Sequence, residues 1–126
     1  MKKERVIQPG TMLPTYYSPA IRYGDTLYVA GQVGEDESGN IPAGIGAQTE
    51  LAIQNAKKLI EAAGGSLDNV LMCQCFIRNQ ADFSGMNAAY AKYFGGNLNL
   101  APARYTVIAP PTDEKYLVEI AMIVGL

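Results

Sequence analysis

Two charged side chains stand where the hydropathy pattern calls for apolar ones. In the run Tyr116 to Val124, residues Tyr116, Val118, Ile120, Met122 and Val124 alternate with Leu117, Glu119, Ala121 and Ile123, the two-residue period of a β-strand. Glu119 interrupts the second row, so it needs a partner, a proton or a water there. Arg104 lies in the preceding strand-like run, Ala103 to Ile108. If the segment Pro111 to Glu114 closes a hairpin, residues 104 and 119 come close to register. Two chemistries are then open. One is a structural ion pair that makes two half-buried charges tolerable. The other is a small site in which the guanidinium fork holds a substrate carboxylate while Glu119 orients or activates a water. Periodicity does not choose between them.

The chain contains no histidine, so it lacks the usual general base of serine and cysteine hydrolases. It also lacks the commonest zinc ligand, and Cys73 and Cys75 alone are too few for a metal site,. No metal is expected. The two cysteines point the same way from one strand and read as reduced core thiols. A formal charge of −2 and a pI near 5.0 argue against nucleic-acid binding,, and Lys2, Lys3 and Arg5 read as a solvated terminus. No run is long enough to span a membrane, and Met1 to Arg5 leads into no signal-type apolar stretch,. The expected location is cytoplasmic.

With 126 residues, the chain reads as one domain over 1–126, large enough to fold without disulfide or metal staples. A strand is expected over Glu4 to Ile7, broken at Pro9-Gly10. An extended stretch over Tyr16 to Arg22 turns at Gly24-Asp25 into a strand from Thr26 to Ala30,. Ile45, Thr49, Ala52, Ala56, Leu59 and Ala63 mark a helix that Gly64-Gly65 ends. Val70 to Ile77 is apolar enough for a strand covered on both faces. Asp82 is the expected N-cap of a second helix, with Phe83, Met86, Tyr90 and Phe94 along one side and Gly95-Gly96 at its end. A loop from Asn97 to Leu100 precedes the two last strands. This order gives an α+β fold, one mixed sheet with two helices on one face. Nothing in the chain is left to cover the other face, so a homo-oligomer is expected.

Several short motifs together carry a family resemblance. They are Tyr17-Ser18-x-Ala20, Gly31-Gln32, Gln48-Thr49 with Asn55, Ala62-Ala63-Gly64 and Leu67-Asp68-Asn69-Val70. Asp82-Phe83 with Asn87 and Tyr90, Pro102-Ala103-Arg104 and Val118-Glu119-Ile120 complete the set. In this order and spacing the chain resembles the Rid family of reactive intermediate deaminases, also called YjgF-like proteins. The resemblance implies a chorismate-mutase-like fold of the bacillus type, a homotrimer with sites in the clefts between subunits, and no cofactor. It implies hydrolysis of 2-aminoacrylate and related 2-imino acids to 2-keto acids and ammonia. Carried over, Arg104 binds the substrate carboxylate, Glu119 positions the attacking water and Tyr17 walls the pocket. Backbone groups around Gly31 and Thr106 hydrogen-bond the ligand.

The chemistry is compatible with a chain lacking histidine, because an imine is already electrophilic and needs only positioning and a proton. The chain departs from the frequent family pattern at Pro19, Ala30, Tyr105 and Thr106, which bears on substrate preference and rate. A trimer that binds 2-keto acids without turnover uses the same residues and is the alternative reading. Ribonuclease or translation-inhibitor activity, a label some relatives carry, fits poorly with the absent histidine and the acidic pI.

Overall fold

The computed structural model describes residues 1–8, 10, 16–95 and 100–126. They form six strands, β1 (Lys3–Val6), β2 (Ala20–Tyr23), β3 (Thr26–Val33), β4 (Val70–Ile77), β5 (Ala103–Ile108) and β6 (Val118–Gly125). Helix α1 (Ile45–Ala62) follows β3, and α2 (Phe83–Phe94) follows β4. The sheet order is β1-β2-β3-β6-β4-β5. All neighbours are antiparallel except β4 and β5, which run parallel and are joined through α2. The expected break at Pro9, and the features placed on Gly96 and on Asn97 to Asn99, lie outside the described residues.

The α+β layer is the one the periodicities call for. On β6, Val118, Ile120, Met122 and Val124 are buried and the alternate residues are half-buried. From α1, Ile53, Ala56, Leu59 and Ile60 pack into the same core, and α2 adds Met86, Tyr90 and Phe94. The helix α1 ends in a Schellman turn. Gly64 takes φ +87°, its N–H donates to Glu61 and the Gly65 N–H donates to Ile60, a conformation that side chains beyond glycine rarely adopt.

Several boundaries and pairings differ from the sequence reading, and β3 runs on to Val33 where a strand to Ala30 is expected. The first strand begins and ends a residue earlier, at Lys3 and Val6. Of the extended stretch 16–22, only the part from Ala20 pairs as strand. Asp82 sits at the N-cap position of α2 with backbone in the helical region, so its carboxylate makes no capping bond and accepts from Asn79 Nδ2 at 3.4 Å. Most consequentially, β5 and β6 do not form a hairpin, because β4 lies between them. The segment joining them passes over the end of β4, where Arg78 Nη2 donates to the carbonyls of Pro111 (2.8 Å) and Asp113 (2.7 Å) and Nε donates to Tyr116 (3.0 Å). The final strand consequently starts at Val118 rather than Tyr116.

Strand β4 also has one open face. Val70, Cys73, Cys75 and Ile77 are buried beneath the helices, and both thiols are free. Met72, Gln74 and Phe76 lie on the other face, where Tyr28, Tyr105 and Val107 are 50%, 44% and 40% exposed. Phe76 and Tyr105 meet edge to face at 6.4 Å. Within one chain this apolar surface faces solvent.

Gln48 locks the helix layer to the loops. Its buried amide donates to the carbonyls of Pro42 (3.1 Å) and Lys115 (3.2 Å) and accepts from the Leu117 N–H (2.8 Å). Replacing Gln48 by Leu strands those backbone groups without a partner. The expected cost is about 2–4 kcal/mol in chemical denaturation, against less than about 0.5 kcal/mol for Gln54→Ala on the exposed face of α1.

Candidate functional site

Arg104 pairs in register with Cys73, and its neighbours on the same face, Thr106 and Ile108, pair with Cys75 and Ile77. Since Cys73, Cys75 and Ile77 are buried, Arg104 projects to the helix side of the edge strand β5. There its guanidinium carbon lies 4.8 Å from the ring centroid of Tyr90 and 5.9 Å from that of Phe83. No acid among the described residues is within ion-pair distance of it; the ion pairs among those residues are Lys58–Glu37 and Lys92–Glu50.

Glu119 occupies the other side of the sheet. It stands opposite Val33 on β3 and Phe76 on β4, and its carboxylate rests against Gly31, where a Cβ would come within 2.7 Å of Cδ and Oε2. Only glycine admits this approach. Among the described residues nothing hydrogen-bonds the carboxylate, and burial pushes its pKa above the usual glutamate range,.

The expected proximity of Arg104 and Glu119 within one chain is therefore corrected. Two facts separate them: β4 is inserted between their strands, and residue parity sends them to opposite faces,. A structural ion pair between the two does not form.

The remaining site residues divide the same way. Tyr17, 58% exposed, lines with Gly31 a cavity of about 300 Å³ that Pro19, Gln32, Glu35 and Asn55 also border. At its rim the Tyr116 hydroxyl donates to Glu35 Oε2 at 2.7 Å. Asn55 Nδ2 donates to the carbonyls of Val33 and Glu35, each at 2.9 Å, holding the end of β3 in place. Thr106 belongs with Arg104; its hydroxyl is buried without a partner among the described residues. Burial raises the thiol of Cys75 to about 11 and that of Cys73 to about 12, so both are protonated at neutral pH and neither is a ready nucleophile.

Gly31 thus stands against Glu119 and also borders the cavity that Tyr17 lines, while Arg104 and Thr106 lie on the helix side of β5. Of the departures from the family pattern, Tyr105 points to the open face, away from Arg104. The Ala30 N–H donates to the Pro19 carbonyl at 2.9 Å. In the sequence, Phe83 and Tyr90 belong to the motifs that carry the family resemblance and lie on one side of α2, but no local pattern assigns them to Arg104; their spacing of seven residues is the one signal that they share a face.

The chain matches the endoribonuclease L-PSP family model over residues 12–125. It is 39% identical over 109 residues to a RutC family protein of Saccharolobus solfataricus, a match covering 85% of this chain and 84% of that one. Among solved structures, it is similar to a protein of unknown function of the conserved Rid family from Yersinia pestis, at 30% identity, TM-score 0.88, and 99% and 100% coverage of the two chains. It is also similar to TdcF of Escherichia coli with bound serine, at 25% identity, TM-score 0.85 and 98% coverage of each.

The raised pKa of Glu119 has a consequence for stability. A carboxyl more easily protonated when folded than when unfolded adds stability below the unfolded pKa, near 4.3, and loses it as pH rises through the folded value. Glu119→Gln is expected to be more stable than the parent protein at pH 7.5, with the advantage disappearing by about pH 4. Denaturant midpoints at the two pH values measure it; a constant difference would mean that desolvation does not govern this carboxyl.

Proposed function

The chain belongs to the Rid family, and from that premise we propose that it is a cofactor-independent enamine and imine deaminase. Its substrates are 2-aminoacrylate and related 2-imino acids, its products 2-keto acids and ammonia. The observation that carries this reading is the guanidinium of Arg104, held on an edge strand with no acid beside it among the described residues. A guanidinium so placed suits a ligand carboxylate, which its fork can grip through two parallel hydrogen bonds. Serine, bound in one structural neighbour, is a small amino acid of the same carboxylate class.

One chain brings together only half of the required groups, so the proposed unit is a homotrimer in which Arg104 and Thr106 of one copy face Tyr17, Gly31 and Glu119 of the next. Such an assembly covers the apolar face around Tyr28, Phe76 and Tyr105, which is costly to leave in water. In the cleft, Arg104 holds the carboxylate of the imino acid. Glu119 accepts a proton as a water adds to C2, giving a carbinolamine. Starting from the N-protonated imine, that proton then passes to the carbinolamine nitrogen, the C–N bond breaks and ammonia leaves, while the C2 hydroxyl gives its proton back to Glu119 and becomes the keto group; 2-aminoacrylate enters this sequence after gaining a proton from solvent at C3. A carboxyl with a raised pKa suits this shuttling, because proton transfer is most effective when the pKa approaches the working pH. Tyr17 and the Gly31 backbone bound the pocket. Ribonuclease chemistry has less support, since the chain has no histidine and a pI near 5.0.

The test is keto-acid and ammonia release from a freshly generated 2-imino acid. The wild type accelerates it over the spontaneous rate, Arg104→Ala and Arg104→Lys lose the acceleration, and Glu119→Gln slows it about 100-fold. Light scattering gives a particle near three times the 13.5 kDa chain. Keto-acid binding by Arg104 without any acceleration would replace the enzyme by a metabolite-binding trimer.

A further inference from the structure

We propose that Tyr90, with Phe83, is a positioning shelf that sets the guanidinium of Arg104 for carboxylate capture; this rests on the reading of Arg104 as the carboxylate anchor. The rings lie on one side of α2, seven residues or about two turns apart, and the guanidinium carbon is within 4.8 Å of one centroid and 5.9 Å of the other. Contact through the π-face orients a guanidinium without using its N–H groups, which lie in the guanidinium plane. A carboxylate partner would orient the group equally well and would occupy the donors a substrate needs.

The shelf is itself fixed. Tyr90 is buried, packs on Phe94 with centroids 4.7 Å apart, and stands over β4 beside Cys73, the register partner of Arg104. Its buried hydroxyl has only the Cys73 thiol as a polar neighbour. A phenylalanine keeps the ring and its packing, so Tyr90→Phe separates the part played by the ring from that of the hydroxyl. Phe83 is 42% exposed, so truncating it leaves the core intact.

Four proteins separate a positioning role from a structural one: wild type, Tyr90→Phe, Tyr90→Leu and Phe83→Leu. Tyr90→Phe is expected to bind 2-oxobutanoate within about twofold of wild type, and Tyr90→Leu at least about fivefold more weakly, the order of one cation–π contact. Phe83→Leu falls between them. In the deaminase assay Tyr90→Leu raises KM and leaves kcat nearly unchanged, because the grip on the carboxylate serves ground and transition states alike. The Arg104 Nε–H resonance, shifted by the ring current in wild type and Tyr90→Phe, moves towards its free position in Tyr90→Leu. If folded Tyr90→Leu and Phe83→Leu both bind the keto acid as wild type does, the shelf is overturned. If wild type itself binds no keto acid, the deaminase reading falls, and the resonance still decides the shelf: a position unmoved in Tyr90→Leu overturns it.

Discussion

A side chain on an inner strand of a sheet has two directions available, and its residue number decides which it takes. Here that parity constraint governs the site. On β6, with strands on both sides, the even residues Val118 to Val124 go into the core, which leaves Glu119 on the other face. On β5, register with buried Cys73 and Cys75 sends Arg104 and Thr106 towards the helices. A shift of one residue in β6 would bury Glu119 and expose the core,, so hydrophobic packing holds Glu119 to its face; on β5, where no residue is buried, the pairing with β4 sets the direction of Arg104. The separation of the two charged groups is a by-product of the way the sheet folds.

Parity sets direction, and three polar side chains, buried Gln48 and half-buried Arg78 and Asn55, fix the loops between the strands. Arg78 ties the connection from β5 to β6 down at three carbonyls. Gln48 joins that connection to α1 and to the residues before it. Asn55 holds the end of β3, beyond Gly31. Each satisfies backbone groups that the loops would otherwise leave unpaired away from water. Gly34 permits the closest of these contacts, since a Cβ there would lie 2.6 Å from the backbone of Gln48.

Element types and faces were legible because they depend on short-range periodicity. The alternation on β6, the stripe of α1 and the glycine end of α1 can all be read within a dozen residues. The neighbour of β5 could not be read that way. It depends on whether the chain after Ile108 turns back at once or crosses the end of β4, and that is settled by Arg78, some thirty residues earlier. The approach of Glu119 to Gly31 likewise depends on the β3–β6 register and its irregularity between Val29 and Gln32. Motif resemblance brought both charged residues forward without saying that one chain keeps them apart.

The separation has an energetic logic. A guanidinium and a carboxylate brought together inside one chain would neutralise each other, and both would be spent on stability. Kept on opposite faces, Arg104 has no acid beside it among the described residues and Glu119 keeps a raised pKa from burial. Each group alone is a small liability: a cation over aromatic rings, and an acid against glycine with nothing to bond it among the described residues. In the proposed deaminase, substrate would remove both liabilities at once, its carboxylate meeting the guanidinium and its attacking water meeting the acid. The differential in favour of an occupied cleft would then be built from two modest penalties in the empty one. For an imine, which already hydrolyses unaided, modest assistance of this kind is sufficient.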